Sequence, residues 1–88
     1  MIVKIDLSFE KDVRKINDAN TLRKLGATIE SCISANSIQD IKNFKKLSGF
    51  KNYYRIRLGE YRIGLQLQGQ EVIFERILHR KEIYRFFP

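Results

Sequence analysis

An α+β fold in the order β-α-α-β-β-β, with a small antiparallel sheet backed by a helical hairpin, is what this 88-residue sequence predicts. Three observations predict it. Apolar residues recur at helical spacing up to about residue 33, and with a period of two from Tyr53 onward. Two glycine-led dipeptides, Gly59-Glu60 and Gly69-Gln70, cut the later stretch into pieces of strand length. Finally, 88 residues hold one hydrophobic core and no second, so residues 1–88 form a single domain.

The elements follow in chain order. Ile2-Val3-Lys4-Ile5 is short and β-branched, which favours a strand. Ser8 offers a helix N-cap, and Phe9, Val13 and Ile16 follow at i, i+4 and i+7. Asn17-Asp18-Ala19-Asn20 breaks this helix, and a second one is expected from Asn20 or Thr21. Its apolar stripe is Leu22, Leu25, Ile29, Cys32 and Ile33, so Cys32 is expected in the core. Residues 34–51 are polar and irregular, with Ile38, Ile41, Phe44 and Leu47 as tethers. Three strands are expected near 53–58, 61–67 and 71–78. Glycine at the first position of each two-residue loop suits a type II′ turn, which matches the twist of paired strands.

Those turns imply a register. Leu58 faces Tyr61, Ile56 faces Ile63 and Tyr54 faces Leu65, an apolar face to set against the helices. The opposite face carries Arg57 across from Arg62, Arg55 across from Gly64, and Tyr53 across from Gln66. Continuing through the second turn puts Leu67 opposite Val72 and Leu65 opposite Phe74 on the core side. The arginine side then gains Ile73, Glu75, Ile77 and His79, and Gly64 leaves open backbone beside Arg55. In this register Arg76 lands on the core side, so it either sits at the sheet margin or marks a bulge in strand 71–78. Like charges directly opposite in a sheet repel. Guanidinium groups gathered this way match phosphate oxygens, and Glu75 or Glu60 is the alternative partner.

Charge supports the anion reading. Seventeen Lys and Arg against ten Asp and Glu leave a net charge of +7, which favours a polyanionic partner. A lone cysteine excludes an internal disulfide and suits a reducing cytoplasm. The first residues are charged too soon for a signal peptide, and no apolar run approaches the roughly 20 residues of a membrane span. One histidine, one cysteine and scattered carboxylates predict no metal site and no cofactor. No glycine-rich phosphate loop or nucleophile elbow is present.

Several motifs stand in close order: Leu47-x-Gly49, Tyr54-x-Ile56-Arg57, Gly59-x-Tyr61-Arg62-Ile63 and His79-Arg80-x-x-x-Tyr84. Over residues 45–85 this set resembles the RelE/ParE superfamily of toxins from toxin–antitoxin pairs, and residues 1–44 match it in pattern alone. The resemblance implies a small antiparallel sheet backed by helices. For the RelE branch it also implies metal-independent cleavage of mRNA in the ribosomal A site, giving a 2′,3′-cyclic phosphate and a 5′-hydroxyl. For the ParE branch it implies inhibition of DNA gyrase without cleavage. A third possibility is a member that binds its antitoxin and operator DNA only. In each branch a cognate antitoxin holds the toxin inactive, and operator DNA is bound as the complex.

Carried over by motif, Arg55 and Arg57 fall where nuclease members place two basic strand residues. Arg62 matches the arginine of the third motif, and Arg80 and Tyr84 match the late arginine and tyrosine; His79 sits at a position that is basic or His in relatives. Some relatives have lysine in place of Arg55 and Arg57. Arginine does not release a proton, so a base would be His79, Tyr84 or Glu75. The arginines would hold the phosphate. Tyr53 is a candidate to stack on a base, and Lys45, Lys46, Lys51 and Lys81 are candidates for contacts to the RNA backbone. Phe86 and Phe87 are expected to anchor the tail.

Overall fold

The computed structural model describes all 88 residues. Its elements are β1 (Ile2–Ile5), α1 (Leu7–Val13), α2 (Ala19–Ser34), a 3₁₀ turn (Ile38–Asp40), β2 (Phe44–Lys46), β3 (Tyr53–Leu58), β4 (Tyr61–Gln68), β5 (Glu71–His79) and α3 (Ile83–Phe86). The expected α+β class is present, and the last three strands lie where the turns predict. The sheet has five strands in the order β1-β5-β4-β3-β2, antiparallel except where β1 runs parallel to β5.

The helix starts differ from expectation by a residue or two. Asp6, not Ser8, occupies the N-cap of α1, and the Ser8 hydroxyl donates to the Glu75 carbonyl at 2.7 Å. Helix α2 begins at Ala19 because Asp18 caps it, accepting from the Asn20 N–H at 3.1 Å and from the Thr21 hydroxyl at 2.7 Å. Those bonds, the Thr21 one foremost, hold the Asp18 carboxyl below its ordinary pKa. Of the predicted α2 stripe, Leu25 and Cys32 are buried and Ile29 is half-buried, whereas Leu22 and Ile33 are exposed. Within the stretch expected to be irregular, Phe44–Lys46 pairs with β3 as a fifth strand.

The β3–β4 register matches the prediction at all six pairs, from Tyr53↔Gln66 to Leu58↔Tyr61. Gly59 and Gly69 both have φ of +59°, and neither Glu60 nor Gln70 has positive φ, which fits type II′ and excludes type I′. The β4–β5 ladder also runs as predicted as far as Leu65↔Phe74. It then skips Glu75, so that Gly64 faces Arg76 and Ile63 faces Ile77. That bulge settles the odd position of Arg76 and corrects two expectations. Ile77 belongs to the core, 2% exposed, and His79 faces Tyr61 on the helix side rather than joining the arginines.

What holds the bulge is a charge on α1. Beyond Phe74, β1 no longer covers the edge of β5, and the Asp12 carboxylate takes that place. It accepts from the Ile77 N–H at 3.1 Å and from the Arg76 guanidinium at 2.8 and 3.1 Å. Asp12 is 5% exposed, so these three bonds satisfy a carboxylate that would otherwise be costly to bury.

Two apolar clusters result. The main one lies between the helices and the sheet, around Phe9, Leu25, Cys32, Ile56, Ile63, Leu65, Val72, Phe74 and Ile77. The Phe9 and Phe74 rings meet edge to face at 5.4 Å and tie α1 to β5. The smaller one, Leu47, Ile83 and Phe87 with Tyr53 and Leu78, lies on the other side, where the C-terminal tail folds back over the sheet.

Candidate functional site: the arginine face

Residues paired across antiparallel strands point to the same side of the sheet. The outer face therefore carries the row Lys45–Arg55–Gly64–Arg76 and the row Arg57–Arg62–Leu78, with Tyr53–Gln66–Ile73 beyond them. Lys45 thus stands beside Arg55. Lys46, by contrast, is paired with Tyr54 and so points to the helix side, and Lys51 is exposed in the β2–β3 loop.

Arg62 is the centre of the group. Its guanidinium donates to the Gly59 carbonyl at 2.8 Å and the Tyr61 carbonyl at 2.9 Å, which anchors the side chain against the hairpin turn. Burial, and then the positive charges of Arg55, Arg57 and Arg80, lower its pKa, while Tyr84 acts in the opposite sense. Four of the predicted residues, Arg55, Arg57, Arg80 and Tyr84, therefore lie within electrostatic range of a fifth, Arg62.

None of the three strand arginines has a carboxylate partner. The ion pairs in the protein are Lys4–Glu71, Arg76–Asp12, Arg80–Glu60 and His79–Glu60. Glu75, one alternative partner, instead has its pKa raised, by burial first and then by Asp6. Repulsion among Arg55, Arg57 and Arg62 is thus left uncompensated.

Glu60, in the β3–β4 turn, organises the edge of the group. Its carboxylate lies 3.0 Å from the Arg80 Nε, and its carbonyl accepts the Arg80 N–H at 2.8 Å. His79 Nε2 is 3.8 Å from the same carboxylate, too far for a hydrogen bond. His79 Nδ1 accepts the Lys81 N–H at 3.2 Å, which assigns the ring proton of the neutral form to Nε2. Lys81 itself is exposed in the turn after β5.

The tail supplies the remaining wall. Tyr84 on α3 is 59% exposed, and Phe87 is buried. The Phe87 ring lies over Gly64, where an added Cβ would come within 2.6 Å of it. The open backbone expected beside Arg55 is therefore filled from within the chain. Tyr53 packs edge to face on Phe87 at 5.6 Å and on Phe50 at 6.4 Å. Phe87 anchors the tail as expected, whereas Phe86 is half exposed.

One structural residue escaped the sequence reading. Asp12 fixes the bulge from 64 positions away, and no local pattern signals it. Glu60, expected as an alternative partner of the arginines, pairs with Arg80 and with none of Arg55, Arg57 and Arg62.

Such a structure defines a class: a small α+β protein that shows bare guanidinium groups on one face of its sheet. Comparison with known proteins makes the class specific. Residues 3–84 match the family model described as the ParE toxin of the type II toxin–antitoxin system parDE. The chain is 44% identical over 82 residues to Toxin RelE3 of Methanocaldococcus jannaschii, covering 92% of each. It superposes on a chain of the RelB–RelE antitoxin–toxin complex from Methanococcus jannaschii with a TM-score of 0.82 and 40% identity, over 97% of this chain and 99% of that one. The intact RelBE complex of E. coli shares the fold at a TM-score of 0.67 and 20% identity, over 86% and 92% of the two chains. This chain belongs to the RelE/ParE superfamily of type II toxin–antitoxin toxins, and within it is RelE-like.

Proposed function

We infer that this toxin is an endoribonuclease that cuts mRNA in the ribosomal A site without a metal ion. The observation that carries this reading is the uncompensated set Arg55, Arg57 and Arg62, with Arg80 and Tyr84 within electrostatic range. In the reaction the 2′-oxygen attacks the adjacent phosphorus while the bond from phosphorus to the 5′-oxygen breaks. The 2′-hydroxyl proton goes to a base, and the leaving 5′-oxygen takes one from an acid. Charge grows on the non-bridging oxygens, and fixed guanidinium groups stabilise it there. Arg55, Arg57 and Arg62 hold the phosphate, and Arg80 joins them by exchanging Glu60 for the substrate.

Tyr84 carries an exposed phenol within electrostatic range of Arg62. We assign it the proton donated to the leaving 5′-oxygen, and the 2′-hydroxyl proton passes to water. His79 is set on the other side of β5, so its part is to share Glu60 with Arg80 and position that arginine. Lys45, Lys51 and Lys81 contribute to contacts with the RNA backbone, Lys46 points away from that face, and Tyr53 supports the tail. A cognate antitoxin covers the arginine face, and the pair binds operator DNA in the cytoplasm. The relatives solved as antitoxin complexes support this partner.

Primer extension on an mRNA in a purified translation system tests the reading. Cuts at A-site codons that disappear with Arg62→Ala establish the nuclease. The family model matched is that of ParE, which favours gyrase inhibition as the second reading. Intact mRNA with wild-type toxin, together with inhibited supercoiling by gyrase, would establish that one instead.

A further inference from the structure

Strand β2 begins only at Phe44, opposite Ile56, so the last part of β3 has no neighbouring strand on that side. The gap between it and α2 is a groove of about 510 Å³, larger than any other cavity described in the fold. Its cations are Arg23 and Lys24 from α2, Lys42 from the loop before β2, and Arg57. Asp40 is the one acid among the lining residues, and its carboxylate accepts the Asn36 N–H at 3.2 Å. Arg23 donates to the Asn20 side chain, and none of the four cations forms an ion pair. The floor includes Ile41, Ile56 and Leu58.

Arg57 belongs to two places. It stands in register with Arg62 on the outer face, and it lines this groove. A polyanion held at Arg62 can therefore continue past Arg57 into a channel that Arg23 and Lys24 of α2 and Lys42 line.

We propose that this groove is a second RNA-binding segment, which takes the phosphates and a base of the single strand flanking the cleaved bond. The proposal rests on the nuclease reading and extends it. Its physical basis is the pairing of free cations with an apolar floor, the combination that binds a single strand without reading its sequence. A cavity of this size accommodates a nucleotide. An acidic segment of the antitoxin is the rival occupant, with similar charge but no repeated phosphates.

Binding of RNA made uncleavable by 2′-O-methylation separates this proposal from catalysis. Fluorescence anisotropy compares a tetranucleotide with a decanucleotide across a salt series, using the full chain. The variant Arg23→Gln/Lys24→Gln/Lys42→Gln is set against Lys11→Gln/Arg14→Gln/Lys15→Gln, which removes equal charge elsewhere. Wild type should bind the longer RNA with a log–log salt slope steeper by about 2, the value for three phosphate contacts on a single strand. The groove variant should lose that difference, and the control variant should keep it. Equal slopes for both RNAs in wild type, or equal losses in the two variants, would overturn the groove. So would a groove variant that holds RNA normally but releases the antitoxin, which would assign the channel to the acidic segment. If wild type binds neither RNA at low salt, the phosphate reading of the arginine face fails as well.

Discussion

Ile56, Ile63, Leu65, Phe74 and Ile77 point to the helices and are at most 2% exposed, while Arg55, Arg57 and Arg62 on the same strands point away without a carboxylate between them. One face lowers the free energy of folding through burial, each large side chain contributing about 1.5–3 kcal/mol. The other raises it through like-charge repulsion. The tail partly covers that second face, yet it leaves Arg57 and Tyr84 in the open. Stability therefore resides on one side of the sheet and charge on the other, and substitutions on the two sides should separate cleanly.

The largest effect belongs to the apolar face. Phe74→Ala should lower unfolding free energy by about 3–5 kcal/mol, read from urea denaturation. Arg57→Ala, on an exposed strand residue, should leave stability unchanged or slightly higher. A loss of 2 kcal/mol or more on the arginine side would break the comparison. Next comes the hinge between the faces. Asp12→Ala strands the Arg76 guanidinium and the Ile77 N–H, and should cost about 3 kcal/mol. Asp12→Asn, which keeps an acceptor, should cost less.

Activity should invert this ranking. Arg62→Ala should reduce mRNA cleavage by about 100-fold, equivalent to roughly 2.7 kcal/mol of transition-state stabilisation. Its stability should fall by no more than about 1 kcal/mol, from the two lost bonds to carbonyls. Cleavage that survives Arg62→Ala would remove the arginine from the chemistry. Smaller again is Gly64→Ala, which crowds the Phe87 ring and should cost about 1–3 kcal/mol as the tail gives way. Hydrogen exchange in Ile83–Phe86 should then speed up while the rest of the sheet stays protected.

The same division explains what the sequence made legible. Turn chemistry at Gly59 and Gly69 acts over two residues, and it set the β3–β4 register at every pair. From that register the company of Arg55, Arg57 and Arg62 follows without a structure. The bulge at Glu75 was not legible beyond the misfit of Arg76, because it depends on Asp12 reaching across from α1. With it went the placement of His79, which a one-residue slip sends to the other face. Phe87 over Gly64 is likewise a contact between distant parts of the chain, so the glycine read as open space. Strand β2 is three residues long, too short to show alternation. Positive φ at Asn43 and Asn52 bends the chain before and after it.

Glu75 gives the finest test, because it sits at the bulge where the two faces exchange residues. Burial, and then the nearby Asp6, raise its pKa above the ordinary value of 4.5. A carboxyl raised in the folded state is most favourable when protonated, and it loses stability as pH climbs through the folded pKa. Glu75→Gln should therefore be slightly more stable than wild type at pH 7, with the difference vanishing below about pH 4. The gain is small because the group is only partly buried, so solvent screens it. Melting curves of the two proteins at both pH values measure it. A variant less stable than wild type at pH 7 would mean that the carboxylate is balancing the arginines after all. The outer face would then be a compensated surface, and the case for a phosphate between Arg55, Arg57 and Arg62 would lose its physical basis.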